Sequence, residues 1–108
     1  MALRLPVGLT PQRAAAGTGL QPIEHEIAGE MASALGRAGD AAAHALAALN
    51  EPVAQVVGSA AREVGVRAAA RAVHAYFIQR ELCGMRRHDD IIREMGIPRA
   101  VLVRLGAR

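Results

Sequence analysis

Two clusters of titratable side chains stand at spacings that invite chemistry in this 108-residue chain: His25, Glu26 and Glu30, and Cys83, His88, Asp89 and Asp90. Imidazole, thiolate and carboxylate are all metal ligands, but a site needs several of them converging on one point. In the first cluster Glu26 and Glu30 share a helical face, yet no matching motif on another helix supplies the remaining ligands of a carboxylate bundle site. In the second, a turn separates Cys83 from the rest, and Asp89 or Asp90 has a helix-capping role open to it. No metal site is expected. Nothing supplies a nucleophile with its base, a phosphate-binding glycine loop or a dinucleotide fingerprint. The sequence therefore nominates no catalytic residue and no cofactor, and reads as a non-enzyme.

Gln79, Arg80 and Glu81 interrupt an otherwise apolar stretch. A buried amide or guanidinium left bare costs about 1–3 kcal/mol or more, so these side chains need partners. Carbonyls at neighbouring helix ends qualify, as do Asp89, Asp90 and Glu94 across the following turn. Gln79, Arg80, Glu81, Asp89 and Asp90 form a candidate structural polar cluster.

The basic residues are 13 arginines, without a lysine, against 10 acids. Residues 1–54 hold three arginines and five acids, and residues 55–108 hold ten and five, so an anionic partner would be sought on the C-terminal half. There the segment DDIIREMGIPRAVLVRLGAR resembles a DNA-binding helix-turn-helix over about 18 residues, with Ile91 and Met95 inward, Gly96 at the turn, then Ile97, Leu102 and Leu105 inward. It has Ile92 where that pattern wants a small residue. Ala100, Val101 and Val103 would face the bases and cannot read hydrogen-bond edges well. Arg99, Arg104 and Arg108 are the candidate phosphate contacts. A helical hairpin that completes a bundle accounts for the segment without nucleic acid, which is possible but not favoured.

The elements that would position these residues begin with Ser59–Met85. At about 100° per residue, Glu63, Arg67, Arg71, His74 and Glu81 fall in one arc of roughly 80°, and nearly all the rest of the circumference is apolar or small, including Val64, Ile78 and Leu82. A helix apolar over most of its surface is a buried one. It carries Tyr76 and Phe77, the only aromatics in the chain, so the other helices should pack around it. Ser59 is its expected N-cap and Gly84 its stop.

A first long helix is expected from about Pro22 to Asn50, with Ile23, Ile27, Met31, Ala34, Leu35, Ala38, Ala42, Ala45, Leu46 and Leu49 on an arc of roughly 140°. Beside that stripe runs a small-residue face, of which Ala28, Ala32, Gly36 and Ala43 are the candidate dimer contacts. The glycines in this face either let another backbone approach closely or mark a kink near Gly36 and Gly39. A helix of about 40 Å at 1.5 Å per residue is hard to cover with one comparable helix and two short ones. A second copy, most simply in a two-fold dimer, would bury what one chain leaves open. Residues 1–20, with Pro6, Gly8, Pro11, Gly17 and Gly19, read as a flexible arm. Residues 51–58 make a short connection, and a helical hairpin at 89–95 and 98–105 closes the chain.

One cysteine fits a reducing cytoplasm and a small buried role for Cys83, and no apolar run reaches membrane-spanning length. The segments Glu26–Leu49 and Tyr76–Gly106, with ALGRAG and QRELCG as their most specific stretches, resemble a family of short bacterial proteins of unknown function. The resemblance covers roughly residues 23–108 apart from 51–60. Tyr76 stands where that family tends to carry tryptophan. It implies a helical, uncharacterised bacterial protein and carries no catalytic residue across. The expectation is an all-α domain over 21–108, a small bundle of two long helices plus a short C-terminal hairpin. Its best functional fit is a non-catalytic interaction or assembly module, homodimeric and cytoplasmic, with a protein partner the sequence does not identify. The alternative is nucleic-acid binding through the hairpin.

Overall fold

The computed structural model describes residues 20–106, with the side chain of Leu20 left aside; residues 1–19 of the arm expected at 1–20, and Arg108, lie outside the described residues, and Leu20 opens a helix. The elements are α1 (Leu20–Ala48), a 3-10 turn (Pro52–Gln55), α2 (Ala60–Leu82), α3 (Asp89–Met95) and α4 (Arg99–Leu102). The protein is all-α, and no strand occurs among the described residues. The chain divides into two compact units at Glu30, within α1. The described part of the first is helix that is exposed from Gln21 to Glu30. The second, Met31–Arg108, contains the core.

That core joins Ala42, Leu46 and Leu49 of α1 and its end to Val66, Ala69, Ala70, Val73 and Phe77 of α2, closed by Ile97 and Val101. Alanines at Ala42, Ala69 and Ala70 keep the helices close, and Val73 and Val101 are the largest side chains wholly out of water. Glycine serves the same end at Gly39, where an added Cβ would lie 3.2 Å from Cε1 of Tyr76. The close approach expected of the α1 glycines is here made by an aromatic ring rather than a backbone. α1 runs unbroken through Gly36 and Gly39.

The boundaries follow local chemistry. Ser59 caps α2 as expected, its hydroxyl accepting from the Arg62 amide at 3.0 Å. Gly96 ends α3 at φ +62°, a left-handed conformation in which a Cβ would be strained. Asp89 and Asp90 do not cap α3. His88 holds the cap position, and the two acids lie in the first turn, where their charge opposes the positive end of the helix dipole. The second arm of the hairpin is shorter than expected: α4 stops at Leu102, and residues 103–106 are turns ending on Gly106 at φ +76°.

Three expectations about burial need correction. α2 is not buried on every side, because Val64, Ile78 and Leu82 are exposed. Its neighbours approach one side only, that of Val66, Val73 and Phe77. The α1 stripe enters the core only toward its C-terminal end. Met31, Ala34, Leu35, Ala38 and Ala45 are half-buried, and Ile23 and Ile27 are exposed. Cys83 is half-buried at the C-cap of α2, where its amide donates to carbonyls of the last turn.

Candidate functional site

The polar side chains at the C-terminal end of α2 gather around one histidine. His88 follows the turn after α2, and its ring stacks on Phe77 with centroids 4.1 Å apart and planes 7° from parallel. Arg80 Nε donates to His88 Nδ1 at 3.2 Å, and an Arg80 terminal nitrogen donates to the Arg87 carbonyl at 2.9 Å. Since Nδ1 accepts, the ring proton sits on Nε2, which faces Glu81 Oε2 at 3.0 Å and donates to it. Arg80 also lies 5.8 Å from the centre of the Tyr76 ring. Of the sequence candidates, Arg80 and Glu81 meet here. Asp89 and Asp90 stay exposed, Asp90 pairing with Arg93, and Gln79, next to Arg80 in sequence, is half-buried without joining the network. The carbonyl partner foreseen for Arg80 is that of Arg87. The sequence reading missed His88 as the hub, and the signal for it was an aromatic at Phe77 one turn before a polar triplet. The network ties the end of α2 to the Arg87 carbonyl and the His88 ring, which suits a structural lock on the α2–α3 turn.

A groove of about 710 Å³ opens where the end of α1, the connection, the start of α2 and the α3–α4 turn meet, lined by Leu46, Leu49, Val57, Arg62, Glu94 and Met95 among others. Arg62 is its one cation. Among the described residues its guanidinium makes a single hydrogen bond, to the Ala54 carbonyl at 3.4 Å. Gln55, also in the lining, donates to the Asn50 carbonyl at 3.1 Å. Neither a nucleophile nor a paired acid and base lines the groove. No group of three or more His, Cys, Asp or Glu positioned to hold a metal occurs among the described residues. No helix among them is long and apolar enough to cross a membrane.

The arginines of the hairpin have divergent fates. Arg99 is exposed. Arg104 reaches across to α2 and holds Glu63 with both terminal nitrogens, Nη2 to Oε1 at 3.0 Å, while Glu63 also accepts from Arg67 one turn along at 3.0 Å. Val101, expected to face bases, is wholly buried in the core, and Ala100 is half-buried. With α4 only four residues long, the side chain that completes its single turn inward had to be the one that closes the core. The hydrogen bonds from Arg67 and then Arg104 hold the Glu63 carboxyl below its ordinary pKa of 4.5. A depressed folded-state pKa stabilises the fold above the unfolded value, and that contribution is lost as pH falls through the folded one. Denaturant titrations should therefore show a stability decline below about pH 4.5 that Glu63→Gln flattens. An identical decline in the variant would assign the acid sensitivity to other carboxylates.

The candidate dimer residues Ala28, Ala32, Gly36 and Ala43 are each exposed, and Ala43 also borders the groove. Comparison with curated proteins finds no match, and comparison with solved structures finds none. A family model, described as a family of unknown function (DUF6665), matches residues 1–108. The chain thus belongs to the DUF6665 family, as its resemblance to short helical proteins of unknown function led one to expect.

Proposed function

We propose that this protein is a non-catalytic assembly module that works as a homo-oligomer in a reducing cytoplasm. The observation that carries the proposal is the set of large apolar side chains left in water: Ile23 and Ile27 on α1, and Val64, Ile78 and Leu82 on α2. Apolar groups repeated along a helix face mark an interaction surface, and in a chain this small another copy is the simplest source of cover. The polar network around His88 ties α2 to the turn that follows it, which supports a structural rather than a chemical role for it. Light scattering at micromolar concentration tests the proposal. A multiple of the 11.3 kDa chain mass is expected, and a strict monomer would end it. If the small-residue face of α1 carries the contact, Ala32→Glu returns a monomer.

The nucleic-acid alternative retains Arg99, the exposed candidate, while Arg104 is engaged by Glu63. That pairing argues against it. Its signature would be duplex affinity that falls steeply with salt and a slope that Arg99→Ala reduces by about one unit.

A further inference from the structure

α2 has two apolar faces. Its core face carries Val66, Ala69, Ala70, Val73 and Phe77. Diametrically opposite, at about 100° per residue, Val64, Ala68, Arg71, Ala75, Ile78 and Leu82 fall within an arc of roughly 80°. Their spacing alternates four and three, the seam of a coiled coil. Val64 is 67% exposed, Ile78 44% and Leu82 64%, so within one chain this seam has no partner.

We propose that a second copy of this chain seats on the outer face of α2 as an antiparallel helix pair about a two-fold axis that crosses that face at the level of residue 73. The proposal rests on the homo-oligomer reading above and names its interface. Run in reverse, the seam complements itself. Val64 meets Leu82 of the second copy, Ala68 meets Ile78, and Arg71 meets Ala75, so the bulkier Ile78 and Arg71 each face an alanine. One flank agrees. On that side Arg67 faces Glu81 of the second copy, twice by symmetry; within the chain they already pair with Glu63 and His88, yet both side chains stay open to water at 61% and 52% exposure. On the other side Gly65 lies against Leu49 and Ala72 against the core of their own chain, so the seam and the Arg67 flank carry the contact. A parallel copy would set Arg71 directly against Arg71 inside the seam, whereas the antiparallel register holds the twins four residues, about 6 Å, apart along the axis. A single polar residue in an apolar seam sets orientation and register, and Arg71 does so here.

The test uses the full chain. Sedimentation velocity should find the wild type dimeric. Ile78→Glu should weaken self-association roughly a hundredfold or more, because symmetry places two unpaired carboxylates in one interface, with the helical circular dichroism of the monomer kept. Arg67→Glu should weaken the dimer as well, again with the helical circular dichroism of the monomer kept. In a Cys83→Ser background, a short bismaleimide should capture His74→Cys, next to the axis, as a covalent dimer in preference to Val57→Cys. A dimer indifferent to Ile78→Glu, or one in which Val57→Cys links as well as His74→Cys, would overturn this interface and leave the homo-oligomer reading standing. A monomeric wild type would overturn both.

Discussion

Phe77→Ala should destabilise the domain by about 3–5 kcal/mol, against a total stability on the order of 5–15 kcal/mol for a domain of this size. Phe77 is the largest side chain in the core cluster, packed among neighbours too small to close over the space it would leave. It is also the surface on which the His88 ring lies, 4.1 Å away centroid to centroid. Without it, His88 has nothing to hold its ring edge-on between Arg80 and Glu81, and the lock on the α2–α3 turn loosens with the core. Urea denaturation measures this as a lower midpoint at an unchanged slope. Ile78→Ala, one residue along on the outer face of α2, should leave the stability of the monomer within about 1 kcal/mol. Equal losses at the two positions would contradict the assignment of inner and outer faces.

Val101→Asp should abolish the folded state. Val101 is wholly buried against α2, and a carboxylate there would be stripped of water, at a cost of several kcal/mol. Val103, two residues on and 66% exposed, should accept aspartate within about 0.5 kcal/mol. Circular dichroism at neutral pH reads both. A folded Val101→Asp protein would mean that the hairpin turns Val101 outward, as a base-reading helix would, and would reopen the nucleic-acid alternative.

The helices of this chain were legible because their signals are local. Ser59 as cap, Gly96 as stop and the long stripes on α1 and α2 depend on residues within a turn or two of each other. Burial was less legible, because it depends on which elements arrive from elsewhere. Periodicity identified an apolar surface nearly encircling α2, but only the folded chain separates the side that meets Ala42, Leu46 and Val101 from the side that carries Ile78 and Leu82. The polar cluster was found in part for the same reason. Arg80 and Glu81 announced themselves as charges in an apolar helix, whereas His88 acquires its place only when the turn brings its ring onto Phe77. The ion pair of Glu63 with Arg104, 41 residues apart, leaves no trace in local sequence at all.

Hydrogen exchange along α2 tests most directly the claim that this helix organises the protein, holding the core on one side and a second copy on the other. The amides from Val66 to Leu82 should be the slowest in the chain, and they should slow further as the protein is concentrated through its association range. Rapid exchange between Val73 and Leu82, or protection there that concentration does not change, would contradict it.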